Sequence, residues 1–366
     1  MVTQAAVAHT AGGPFVVEDV ELDDPRAGEV QVRVLASGMC QTDLHARDAY
    51  YTIKPPAVFG HEGVGIVERV GAGVTRVREG DRVILFAPSC GACVNCAAHR
   101  TAYCLTHWPL KSTGTRADGS PTLWQQGRRL GGAFFQQSSL ARHALATERN
   151  VVRVPDDVPA HVLAALPCGV NTGAGAAINA LGVRAGMAVA VVGVGAVGLA
   201  ALMAAREAGC GPIIAVDLRA NRLALAKELG ATHVVDAAAE DFVAALMAAT
   251  GGRGVDGLID TSGVAETVSR GVRALAMPGT FVLVGSARPG EQGTFDHMLL
   301  QNGRTIRGCI QGDGEPAAFI PTLVERYQTG RFPVDRLVTT YRFEEIEQAA
   351  RDLASGVAIK PVVVMS

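Results

Sequence analysis

The spacing of apolar residues changes character partway along the chain. Up to residue 150 they fall in short runs bounded by turn residues, at 30–36, 64–70, 82–86 and 150–154, each of strand length. This predicts a β-dominated first domain. From about Asn171, strand-like and helix-like runs alternate. Strands are expected at 188–194, 213–217, 233–236, 257–261 and 280–284, with helices between them at 197–208, 219–229, 241–250 and 266–276. Such repetition predicts a parallel sheet covered on both faces, because each crossover between parallel strands brings a helix back over the sheet. Near Thr305 the alternation stops, and the tail is expected to hold the run 319–329, a helix at 343–355 and a last strand at 361–365. We expect the tail to rejoin the first domain. The fold class is then α/β: a β-rich domain over 1–169 and 307–366, and a doubly wound parallel-sheet domain inserted at 170–306.

Composition agrees with two buried cores. Of 366 residues, 48% are hydrophobic and 19% charged, which excludes a disordered chain. Glycine is in excess at 43 residues but has no three-residue period, so it serves tight turns and close backbone approaches rather than a collagen helix. A net charge of −2 offers no general attraction to nucleic acid or an anionic membrane, and the 29 arginines, against 4 lysines, are scattered. The 21 uncharged residues at 185–205 are long enough to span a bilayer. Gly186, Gly193, Gly195 and Gly198 interrupt them, and a Val-rich half gives way to an Ala/Leu-rich half, so they read as strand, turn and helix. No basic, apolar leader opens the chain, and a cytoplasmic location is expected.

That turn, Gly193-Val194-Gly195-Ala196-Val197-Gly198, matches G-x-G-x-x-G after a strand and before a helix, with Asp217 closing the next strand. Gly193 suits a tight turn, Gly195 lets backbone approach a pyrophosphate, and Gly198 lets the helix pack on the strand. Helix amides would face the phosphates, and Asp217 would accept from a ribose 2′-hydroxyl and repel a 2′-phosphate, favouring NAD over NADP. The competing reading is a purely structural turn. Arg219 and Arg222 lie near enough to accommodate an extra phosphate.

Eight cysteines form two groups. Cys90, Cys93, Cys96 and Cys104 have the spacing C-x2-C-x2-C-x7-C, which suits either a disulfide knot or a four-thiolate metal site. Without an export signal the metal reading is preferred, and four thiolates close a tetrahedron around a structural Zn²⁺. Cys40, Cys168, Cys210 and Cys309 are dispersed. Gly60-His61-Glu62-Gly63 follows Cys40 by about twenty residues, but spacing alone does not join Cys40, His61 and Cys168, since lone cysteines are commonly just buried.

Together, Cys40 with Thr42 and His45, Gly60-His61-Glu62-Gly63, the four-cysteine loop, Cys168, and the glycine turn with Asp217 resemble the zinc-dependent medium-chain alcohol dehydrogenases, in order and spacing, along essentially the whole chain. Phe134–Ser139 and Cys168-Gly169-Val170-Asn171-Thr172-Gly173 most resemble the aryl (benzyl) alcohol members. The resemblance implies a GroES-like catalytic domain, with a structural-zinc loop at about 88–106, and a Rossmann NAD domain. It implies two zinc ions per subunit, the catalytic one on Cys40, His61 and Cys168. Asp43 would orient His61, and Glu62 would stand behind the metal. Thr42 would take the alcohol's proton and His45 pass it on, although an incidental surface histidine is the alternative for His45. Thr172 and Val197 would contact the nicotinamide, while Arg222 and Lys360 would stand near the cofactor's phosphates. Gln41 and Lys360 replace basic or arginine residues of many relatives, so weaker NADH retention is expected.

The same resemblance puts Tyr51, Phe86, Trp108, Phe134 and Phe135 around the substrate channel, an aromatic concentration that suits a flat apolar alcohol or aldehyde. At least one of them is expected to be ordinary core. Tyr51 and Trp108 occupy places where the glutathione-dependent branch carries charged residues, which argues against a glutathione adduct. The stretch 111–119 reads as a polar loop with Arg116 and Asp118, a feature of dimeric relatives, so a homodimer is expected. Competing functions are a thiol-adduct dehydrogenase, a tailoring enzyme for a larger metabolite, and a nucleotide-binding protein without catalysis. Cys210 and Cys309 receive no role beyond burial.

Overall fold

In a computed structural model that describes residues 1–287 and 290–365, the two textures become two units, Met1–Cys168 with Glu315–Ser366, and Gly169–Gly314. The first unit is organised by antiparallel pairing. Its seven-stranded sheet centres on Glu29–Gly38, where Val30, Val32 and Val34 alternate into one core. Gly63–Val70 flanks this strand on one side and the tail strand Lys360–Val364 on the other, with Val362 opposite Gly38. The chain's end is thus part of the first unit's sheet. A second sheet of five strands contains the hairpin Val2–Ala8 and Phe15–Leu22, which the apolar runs did not reveal.

The second unit holds six parallel strands in the order His233–Asp236, Ile213–Asp217, Val189–Val192, Val255–Asp260, Leu275–Leu283, Thr305–Gly308. The order reverses beside Val189–Val192, the switch point where open α/β sheets bind ligands. Thr305–Gly308 pairs with Leu275–Leu283 in this sheet, so the expected domain boundary at residue 307 cuts a strand, and the second unit runs on to Gly314. Only Ile306 of those four residues is apolar and large, too little pattern to mark a strand.

One helical run, Ala160–Leu181, has no counterpart among the elements expected from the sequence. It is the one helix among the described residues long and apolar enough to cross a membrane, and 78% of its most apolar window is buried. Pro167 has no amide hydrogen to donate and its ring would crowd the preceding turn, and the helix widens into a π turn over Leu166–Val170. Cys168 stands on that turn.

Candidate active site

Cys40 caps the helix Gln41–Arg47. Its Sγ accepts from the Thr42 amide (3.2 Å), while its own amide donates to Asp43 Oδ2 (3.0 Å). This reciprocal cap fixes both side chains. Asp43, fully buried, uses Oδ1 to accept from His61 Nδ1 (2.9 Å) and the Gly60 amide (3.0 Å), leaving His61 Nε2 directed at Cys40 Sγ, 3.3 Å away. Cys168 Sγ lies 4.0 Å from Cys40 Sγ. Donor atoms of Cys40, His61, Glu62 and Cys168 all lie within 4.8 Å of one another.

Electrostatics in this cluster are those of a cation site. The two thiols share a proton, so Cys40 is held well below the usual thiol range and Cys168 well above it. Burial opposes charge on His61, yet the Asp43 carboxylate and the Cys40 sulfur outweigh it and raise its pKa. Two cysteines and two carboxylates thus stand in this cluster with one permanent cation, Lys360, on which the charges of Glu62, Cys40 and Cys168 act and whose Nζ donates to Glu62 Oε1 (2.6 Å) and to the Met39 carbonyl (3.4 Å). Buried acids in such excess fit a bound dication. Around a tetrahedral zinc with Zn–S bonds of about 2.3 Å, sulfurs stand about 3.8 Å apart, and the Cys40–Cys168 separation is of that size.

The four-cysteine loop meets the same test. Cys90 Sγ and Cys96 Sγ are 3.9 Å apart, all four sulfurs lie within 4.8 Å of one another, and none is in a disulfide. Backbone amides point at the sulfurs: Cys93 N to Cys90 (3.4 Å), Cys90 N to Cys104 (3.2 Å) and Leu105 N to Cys93 (3.5 Å). The amides of Ala92 and Cys93 pull the Cys90 thiol down to about 6, as suits a thiolate ligand.

Aromatic rings wall the first cluster. Phe135 lies 4.6 Å from the His61 ring and Phe134 5.9 Å, and Tyr51 packs on Phe134 (6.0 Å) and stacks on Trp108 (5.2 Å). Phe134 also packs on Phe59 and is fully buried, so it doubles as core. Phe86 is buried, with no ring contact to these among the described residues, and its carbonyl accepts from Gln137 Nε2 (3.4 Å). Burial, followed by the Cys40 charge, raises the Tyr51 pKa to about 12, with the Thr42 hydroxyl acting in the opposite sense. His45 is half-buried, its ring 5.2 Å from that of Tyr50.

In the second unit, Gly193 has φ +81°, and a Cβ on Gly198 would lie 2.0 Å from the Gly193 carbonyl oxygen, so both glycines are required by the backbone. Helix Ala196–Glu207 starts at this turn. Asp217 Oδ2 accepts from the Val194 amide (2.8 Å) and Oδ1 from the Leu218 and Arg219 amides, with Arg222 Nη1 3.7 Å away. Asp217 thus fastens the glycine turn to its own strand. Thr172 precedes Gly173, where a Cβ would lie 1.9 Å from the Val197 carbonyl oxygen, so the segments carrying Thr172 and Val197 meet at backbone contact.

Two buried lysines depart from expectation. Lys360, expected near the cofactor phosphates, is 1% exposed with its ammonium committed to Glu62. The supposed polar loop is also partly interior: Arg116 is buried on Glu29 (2.7 Å) and Asp23 (2.9 Å), and Lys111 is 4% exposed.

Comparison with known proteins matches residues 26–156 to the alcohol dehydrogenase GroES-like domain and residues 196–328 to the zinc-binding dehydrogenase domain. A geraniol dehydrogenase of Castellaniella defragrans is 43% identical over 364 residues, covering 99% of this chain and 97% of that protein. The solved benzyl alcohol dehydrogenase of Acinetobacter calcoaceticus superposes with a TM-score of 0.96 at 42% identity, covering all of both chains. An alcohol dehydrogenase zinc-binding domain protein of Burkholderia ambifaria gives 0.97 at 46% identity, over 100% of this chain and 99% of that one.

Proposed function

This chain belongs to the zinc-dependent medium-chain alcohol dehydrogenase family, and within it we propose an enzyme that interconverts aryl or allylic primary alcohols and their aldehydes with NAD, carrying one catalytic and one structural zinc. The observation that carries the reading is the convergence of Cys40, His61 and Cys168 beneath the Phe134–Phe135–Tyr51–Trp108 wall. The geraniol and benzyl alcohol relatives support the substrate class.

When bound on those three ligands, zinc supplies Lewis acidity that eases loss of the alcohol's proton, and NAD supplies the hydride acceptor. Thr42 takes the proton at its hydroxyl, and His45, one helical turn further on, passes it to solvent. Asp43 keeps His61 in the tautomer whose Nε2 faces the metal. The aromatic wall excludes water and favours a flat substrate. Asp217 supports NAD over NADP, since a 2′-phosphate beside its carboxylate would be repelled. The long connection between Cys104 and Phe134 supports a homodimer, which sedimentation would check.

Reduction of NAD⁺ with benzylic, allylic and short aliphatic alcohols, before and after chelation, tests the reading. Chelator-sensitive turnover strongest on benzylic or allylic alcohols is expected. Zinc-replete protein that oxidises none of them would overturn it.

A further inference from the structure

The chain has four lysines, and Lys111 and Lys360 are the two that are buried. Lys360 has the Glu62 carboxylate as its counter-charge. Lys111 has no carboxylate partner among the described residues, and only the more distant charges of Cys168 and Cys104 act on it. Its ammonium stands 5.4 Å from the centre of the Phe135 ring, without a hydrogen bond or ion pair. That same ring lies 4.6 Å from His61. A buried cation and the candidate metal centre therefore share one phenyl ring.

The setting is built rather than incidental. Phe135, Gln136 and Ser138 all have positive φ (51°, 54° and 48°), a cluster of backbone strain in one short segment. Gln136 ties the segment to the chain around Lys111, donating from Nε2 to the carbonyls of Leu110 (3.1 Å) and Thr115 (2.8 Å). Helix His107–Ser112 also carries Trp108, whose ring stacks on Tyr51. An aromatic face satisfies an ammonium only in part, and a lone buried charge calls for an anion. Burial pushes the Lys111 pKa down to about 8, because the charges of Cys168 and Cys104 only partly offset the cost of desolvating the ammonium.

We propose that Lys111 is a second recognition point of the substrate pocket and binds a carboxylate carried by the alcohol at the end remote from its hydroxyl group. The inference rests on the alcohol dehydrogenase reading and narrows it, from aryl or allylic alcohols in general to those that are also acids. An uncharged alcohol would still fit the aromatic wall but would leave the ammonium without its partner.

The zinc-loaded full chain tests this. kcat/KM is compared for 4-(hydroxymethyl)benzoate and its near-isostere 4-methylbenzyl alcohol. Wild type is expected to favour the acid by about tenfold or more, the worth of one charged hydrogen bond. Lys111→Met should abolish that preference and Lys111→Arg keep most of it, with zinc content and melting curves showing both variants folded. Calorimetry with benzoate alone separates a free anion from a substrate-borne one and needs no turnover; affinity should fall about tenfold in Lys111→Met. Retained, Lys111-dependent benzoate binding in a protein that oxidises no alcohol would sink only the dehydrogenase reading. Preference of wild type for the methyl compound, or equal ratios and equal benzoate affinity in wild type and a zinc-replete Lys111→Met, would overturn the proposal.

Discussion

The first unit builds two sulfur clusters by opposite means. One is closed within a short loop: Cys90 and Cys104 are 14 residues apart, and backbone amides turn the sulfurs inward. The other joins Cys40 to Cys168 across 128 residues, and it is governed largely by side chains, Asp43 on His61 and Lys360 on Glu62. A loop of four like ligands completes its own coordination and needs nothing from the rest of the fold. A cluster drawn from distant segments mixes ligand types, keeps a position for substrate, and can be tuned by whatever packs behind it. Local assembly suits structure, and non-local assembly suits chemistry.

The sharpest way to break this comparison is to remove one ligand from each cluster. Cys168→Ser should lose several kcal/mol of transition-state stabilisation, about a thousandfold in kcat/KM, along with one zinc equivalent and little thermal stability. Asp43→Asn leaves the ligands in place but weakens the orientation of His61, and should cost about 10–100-fold in zinc affinity or turnover. Cys104→Ser should lose the other zinc equivalent and lower the melting temperature by about 10 °C. Its kcat at 25 °C should stay within about threefold of wild type, as for energetically independent sites. Steady-state kinetics, metal analysis and melting curves on the three variants check these outcomes. A Cys104→Ser protein as inactive as Cys168→Ser would show that the loop also serves catalysis.

The same division explains what could be read from the sequence. Ile213–Asp217 and His233–Asp236 lie where the alternation predicts them, because helices and strands in a parallel sheet carry unlike apolar patterns. Thr305–Gly308, at the sheet edge, needs little apolar surface and so leaves no pattern. The four-cysteine loop is legible from spacing because its geometry is local. Cys168 is not, since its place depends on the π turn at Pro167, within a helix that no apolar periodicity in the sequence marks. The lysines were hardest. A lysine stem packs on apolar surface as readily as its head reaches water, so only the fold reveals that Lys360 meets Glu62 and that Lys111 is interior.

Lys111 also extends the comparison, because the charges of Cys168 in one cluster and Cys104 in the other both act on its ammonium. Neither offsets burial, which holds the Lys111 pKa near 8, against an ordinary 10.5. Below about pH 8 the folded and unfolded chains both keep this proton, and the folded state bears the full cost of the buried charge. Between about 8 and 10.5 the unfolded chain holds the proton and the folded chain does not, so this group makes stability rise with pH. The difference amounts to about 3 kcal/mol at most. Lys111→Met removes the charge and keeps most of the stem's volume. At pH 7 the variant should therefore be the more stable protein in urea unfolding, and its advantage should shrink as pH is raised toward 10. An offset that stayed constant across that range would mean that the ammonium is already satisfied where it sits, and its readiness for a carboxylate would lose its physical basis.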